Sequence, residues 1–213
     1  MADVQHSLAT YVSDMLALEE HVCIPFKTQR EDADFRSMPQ ASAIAGRITA
    51  LAETHIQTLR SALDSLGGHP AHGAKSAFTN VEGWIASAID KMRKTKVAKG
   101  LRDDYTALAL CTAAYNMLLT TANAFGNAGV AQLAERHLQE YAQAIVDIAD
   151  ALPGVVVEDL SALGMPVDSA VVSRSQMQIR SAWRTGESAT TTTGTIESEA
   201  TLNRAKGGTY PTI

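Results

Sequence analysis

Three long apolar stripes at helical spacing constrain this chain most. Leu8, Tyr11, Val12, Met15, Leu18 and Val22 recur every three or four residues, the period that lines one face of a helix. Ile48, Leu51, Ala52, Leu59, Ala62 and Leu66 form a second stripe, and Val130, Ala134, Tyr141, Ile145, Ile148 and Leu152 a third. Helices with one apolar stripe must bury it against one another, so the pattern predicts an all-α bundle. Each stripe is also interrupted by an ionisable residue in register: Glu19, His55 and His137 respectively. A carboxylate or imidazole in a core is costly unless it is paired, hydrogen-bonded or metal-bound. One such residue on each of three facing helices predicts a polar site inside the bundle, and bundle sites of this composition hold metal.

Composition agrees with helix over strand. Alanine and leucine dominate, aromatics are 5% and hydrophobic residues 46% of the 213 residues. A formal charge of -5 argues against a dedicated nucleic-acid binder, which needs clustered Lys and Arg. The run Lys91, Arg93, Lys94, Lys96 and Lys99 reads as a solvated helix end. No stretch approaches ~18 uninterrupted apolar residues, so no membrane partner is expected. Met1 to Val4 has neither the basic region nor the apolar run of a secretory signal. Cys23 and Cys111 lack CxxC spacing and read as reduced thiols. Together these features predict a cytoplasmic protein.

Punctuation divides the chain. The first helix spans about Val4 to Gln29, with Pro25 either kinking it or stopping it near Cys23. Arg30 to Met38 reads as a polar connection. Pro39 opens a second helix that Gly67-Gly68 and Pro70 close near Leu66. Pro70 to Arg102 is a long crossover containing a short helix near Thr79 to Lys94. A third helix starts after Asp103-Asp104 and runs to Phe125. Gly126 to Gly129 is a tight turn, and a fourth helix runs to Leu152 and ends at Pro153-Gly154. Hairpin, crossover and hairpin give a bundle over residues 1–154. His55 lies 12 residues before Gly67, and His137 lies 10 after Asn127. If the crossover returns the chain to the opposite end, both hairpin ends fall at one pole of the bundle, and at ~1.5 Å per residue the two histidines then differ in height by only about 3 Å, which lets them meet.

Residues 155–213 change character. Val155-Val156-Val157 and Ser169 to Val172 are β-like, Ser188 to Thr195 is a Ser/Thr/Ala/Gly tract, and Ile179, Trp183, Ile196, Leu202, Tyr210 and Ile213 are apolar anchors in a polar background. This segment cannot bury a core of its own. It reads either as a disordered tail or as an extended C-terminal arm that docks on a second copy of the chain and builds a homo-oligomer.

The bundle region resembles the YciF-like branch of the ferritin-like superfamily, a stress-associated family. The resemblance rests on Asp14-Met15-Leu16-Ala17-Leu18-Glu19, on His55-Ile56-Gln57-Thr58-Leu59 followed by Leu66-Gly67-Gly68-His69-Pro70, on Val81-Glu82-Gly83-Trp84-Ile85, and on Ala113-Ala114-Tyr115 with Gly126. It implies a ferritin-like four-helix bundle in which Glu19 and His55 stand where the family binds metal. The chain departs from the family at its other ligand positions. Nothing between Tyr105 and Phe125 is acidic or a histidine, and Leu51 stands where a carboxylate would precede His55. On the last helix Glu135, His137 and Glu140 are available, but only His137 lies squarely on the stripe.

One carboxylate and two histidines cannot offset the repulsion of a bridged pair of cations. They suit either a single iron or zinc ion completed by water or a metal-free cluster in which Glu19 hydrogen-bonds the histidines. The expected site is therefore Glu19, His55 and His137, with Tyr115 and Tyr141 facing inward within reach of it, Leu108 and Cys111 at the same level, and Met15 and Met117 filling the core. Glu20 and His21 fall off the stripe, and His69 and His72 read as turn histidines. There is no Gly-rich phosphate loop, no serine nucleophile motif and no internal repeat. The function this favours is a non-catalytic, self-assembling, stress-associated helical module with no cofactor. The alternative is a ferritin-like protein that binds or oxidises iron.

Overall fold

The computed structural model describes residues 2–68 and 96–183. These form six helices and no strand. They are α1 (Ala2–Glu31), α2 (Ala33–Ser37), α3 (Pro39–Ser65), α4 (Lys96–Ala124), α5 (Ala128–Ala162) and α6 (171–183). The chain divides into two compact units between Val167 and Asp168.

In the first unit α1 pairs with α3 and α4 with α5, while α1 also packs on α4 and α3 on α5. The four long helices thus form a closed square around one core. Its largest fully buried side chains include Tyr115, Tyr141, Phe26, Leu8, Ile48, Leu59 and Leu101. Most residues of the three stripes lie in this core, with Leu51, Ala62, Leu66, Ile145 and Leu152 half-buried at its edge. Tyr11 is an exception at 40% exposed, and Met117 is not a core filler at all, being 60% exposed. Cys23 and Cys111 are both buried and unpaired with each other.

Both hairpin ends are closed by backbone bonds. After α3 the Gly67 amide donates to the Asp64 carbonyl and the Gly68 amide to the Leu63 carbonyl, at 3.0 Å each. Gly67 takes a φ of +67°, which other residues resist. Between α4 and α5 the Asn127 amide donates to the Ala122 carbonyl at 2.9 Å, and the Asn127 side chain caps α5 by accepting from the Val130 amide.

Pro25 lies inside a continuous α1, so the helix does not stop near Cys23, and Val22, Cys23 and Phe26 carry the buried stripe across it. Three local expectations are corrected. Arg30 to Met38 is not all connection. Asp32 accepts from the amides of Asp34 and Phe35, nucleating the short α2 and burying Phe35. Phe35 lies where a Cβ on Gly100 would come within 2.5 Å of its ring, so α4 needs a glycine there. Next, α4 starts at Lys96, before Asp103-Asp104, and Asp104 is a buried interior residue instead of an N-terminal cap.

The last correction concerns Pro153-Gly154, which does not end α5. That helix runs on to Ala162, carrying Val155 to Val157 as helix instead of β-like chain. Val155 and Asp159 extend its buried stripe, and Asp159 accepts the Ala98 amide of α4 at 2.9 Å. Tertiary contact thus outweighs the local break at proline.

The second unit is described here by residues 168–183. The Asp168 side chain accepts the Ala170 amide at 2.9 Å and starts α6, so Val171 and Val172 are helical and not β-like. Met177 and Trp183 on α6 are 66% and 60% exposed. The expected crossover helix, His69, His72, and the rest of the expected arm lie outside the described residues. No described helix is long and apolar enough to cross a membrane.

Candidate metal site

Mid-length in the bundle, each long helix contributes to one polar cluster: Glu19 from α1, His55 and Thr58 from α3, Tyr115 from α4, and His137, Glu140 and Tyr141 from α5. The three residues singled out by the stripes all face the interior, with Glu19 and His55 at 0% and His137 at 1% exposed. The two histidines meet, as the residue spacing allows. Their rings stack with centroids 3.8 Å apart and planes 13° from parallel.

Glu19 is the hub. Its Oε1 accepts from His55 Nδ1 at 3.0 Å and from the Tyr115 hydroxyl at 2.6 Å, and its Oε2 accepts from the Tyr141 hydroxyl at 2.6 Å. Three donors on one buried carboxylate replace the water that burial removed. Burial, then the charge of Glu19, holds the pKa of both phenols well above the usual tyrosine value. They therefore remain O–H donors.

The imidazoles have different partners. His55 Nε2 lies 2.7 Å from Glu140 Oε2, a separation that holds a hydrogen between them. His137 Nδ1 lies 3.0 Å from the Tyr115 hydroxyl, and His137 Nε2 lies 3.0 Å from Thr58 Oγ1. Burial, followed by the neighbouring His55 and Arg136, lowers the pKa of His137 to about 3. His137 is thus a neutral imidazole, the form that ligates metal.

His55, His137 and Glu140 each offer one donor atom, and these three atoms lie within 4.8 Å of one another. The candidate ligand set therefore differs from the expected one: Glu140 joins, and Glu19 sits behind the histidines. Glu140 was detectable from sequence, since it follows His137 by three residues and so occupies an adjacent place on the helix. It falls at the stripe's edge, and its side chain stays 37% exposed while its carboxylate reaches inward. Tyr115 and Tyr141 both bond Glu19, as their inward register allows.

Leu108 and Cys111 are fully buried. Burial, with Glu19 as a second cause, raises the Cys111 thiol well above its usual pKa, so it does not offer a thiolate. Glu20 is off the stripe and pairs with Arg60 on the surface. His21 is half-buried instead of solvated, and its Nε2 has no hydrogen-bond partner among the described residues.

No family model matches this chain, and no curated protein does. Among solved structures, the chain is similar to the crystal structure of a protein from Xanthomonas campestris pv. campestris, with a TM-score of 0.61 and 18% sequence identity. The match covers 76% of this chain and 99% of that one. At this identity the likeness concerns the fold.

Proposed function

We propose that this protein binds one divalent transition-metal ion, zinc or ferrous iron, between α3 and α5. His55, His137 and Glu140 are the ligands. The observation that carries the reading is the convergence of their donor atoms within 4.8 Å, two from imidazoles and one from a carboxylate. That donor set suits both metals, and three protein ligands leave a position for water. Bound there, the ion would supply a Lewis-acidic or redox centre. The same reading keeps the resemblance to ferritin-like metal handlers but departs from a two-iron oxidase. Such a site needs several free carboxylates, whereas both oxygens of Glu19 are engaged by three donors.

Titration of the purified chain with Zn²⁺, and with Fe²⁺ under anaerobic conditions, tests this. One equivalent binds, and His137→Ala and Glu140→Gln each abolish tight binding. At 100 times the dissociation constant the ion adds about 2.7 kcal/mol of stability. Absence of binding would leave the cluster as a metal-free fastening of the four helices. Rapid aerobic oxidation with two irons per chain would restore the oxidase.

A second reading concerns assembly. Residues from 168 onward act as the contact through which copies of the chain associate. The supporting observation is that α6 presents Met177 and Trp183, two large apolar side chains, mostly to solvent.

A further inference from the structure

His137 has two ring nitrogens, each 3.0 Å from a hydroxyl oxygen, and which of them carries a hydrogen decides whether the ring can ligate. Tyr115 settles the matter through its own single hydrogen. The phenol spends it on Glu19 Oε1 at 2.6 Å, so toward His137 Nδ1, 3.0 Å away, its oxygen acts as an acceptor. Nδ1 must then carry the ring hydrogen, and Nε2 is left as a lone pair. On that side Thr58 Oγ1 sits 3.0 Å off and can turn its hydrogen toward Nε2. The same hydroxyl lies 3.0 Å from the His55 carbonyl and 3.2 Å from the Thr54 carbonyl, helix carbonyls that do not depend on it.

The second imidazole is ordered by the same hub. His55 Nδ1 donates to Glu19 Oε1 at 3.0 Å, which leaves its Nε2 facing Glu140. Tyr141 completes the hub from α5 by binding the other oxygen of Glu19 at 2.6 Å. One carboxylate on α1 therefore reaches two rings on two other helices, one directly and one through a phenol.

We infer that Glu19 and Tyr115 are positioning residues: Tyr115 fixes His137 in the Nδ1–H tautomer and Glu19 holds the Nδ1–H of His55, so that both rings turn their Nε2 sides to a cation, which takes the place of the hydrogen shared by His55 Nε2 and Glu140. The inference rests on the metal reading above and reassigns Glu19 from ligand to support. It also gives Tyr115 a role that its buried position on α4 does not by itself require, since a phenylalanine would fill nearly the same volume. In Tyr115→Phe the Nδ1–H of His137 has no acceptor. The ring then moves its hydrogen to Nε2, donates to Thr58 Oγ1, and blocks the ligating atom.

Two measurements on the full-length chain test this. Nitrogen-15 shifts of the metal-free protein report each histidine's tautomer. Wild type shows His137 as Nδ1–H, and Tyr115→Phe shows it as Nε2–H. Zinc titration of the same samples gives one equivalent for both, with affinity about 10- to 100-fold weaker in Tyr115→Phe. Unchanged tautomer and affinity in that variant overturn the inference while leaving the ligand set standing. Failure of wild type to take up zinc removes the metal reading, and the tautomer pattern still decides the positioning role. Thr58→Val provides a check that does not depend on Tyr115. It deletes the hydroxyl at Nε2 and keeps the phenol, so His137 remains Nδ1–H, and an Nε2–H pattern there overturns the inference.

Discussion

Asp104 and Gln29 show how one buried residue couples to pH. Each leaves a side-chain oxygen buried without a hydrogen-bond partner among the described residues, Oδ2 of Asp104 and Oε1 of Gln29. The Gln29 side chain also bonds the Asp104 carboxyl, whose pKa is pushed well above the usual value first by burial and then by the charge of Asp103. A proton on Asp104 supplies the missing donor. The fold holds that proton where the unfolded chain ionises, so stability is full below the unfolded value of 3.8 and declines as pH rises above it. Asparagine has the shape of the protonated acid and no charge to bury. Asp104→Asn should therefore raise stability at pH 7 by roughly 1–2 kcal/mol and flatten the decline toward high pH. Thermal melts of both proteins across the pH range check this, and a lower melting temperature for the variant at pH 7 would refute it.

The half of α5 beyond Pro153 makes the corresponding case for an element. Proline costs ~3 kcal/mol in a helix interior and glycine about 1 relative to alanine. Local preference therefore ends the helix at this pair. The helix continues because Val155 is buried and Asp159 supplies a carboxylate to the Ala98 amide. That amide lies close to Lys96, where the described part of α4 begins, and the Asp159 carboxylate is the side-chain acceptor it meets. Loss of the carboxylate removes that acceptor from a buried donor. Asp159→Ala should cost about 1–2 kcal/mol and accelerate hydrogen exchange at Ala98 and its neighbours in α4. Exchange unchanged at Ala98 would show that α4 does not depend on this cap.

At the scale of the whole molecule, the division between Val167 and Asp168 decides where assembly can be tested. A cut at Gly154 would remove Val155 and Asp159 from the core and confuse folding with association. A chain ending at Val167 retains α1 to α5 complete. It should keep its helical signal and elute at a lower oligomeric mass than the full chain. The same mass for both would remove residues 168–213 from any role in self-association. Metal titration of the shortened chain should still give one equivalent, because all of the proposed ligands and their supports lie in the first unit.

The sequence alone determined the periodic part of this protein. Helical spacing marks α3 and α5 as amphipathic, and it places Glu19, His55 and His137 inside because each occupies a position whose neighbours along the helix must be buried. The closing glycines fix the hairpin ends, and counting residues from them sets the histidines at one height. Tertiary structure decided everything that depends on what stands opposite. Glu140 lies at the edge of its stripe and becomes a candidate ligand only because His55 on another helix faces it at 2.7 Å. Glu19 moves from expected ligand to support because two tyrosines, 96 and 122 residues away, converge on it. Pro153-Gly154 is a stop signal locally and a helix interior in the fold, since contacts with α4 outweigh it. Periodicity reports which face of a helix is buried, but the partner of a side chain is fixed by packing between helices distant in sequence.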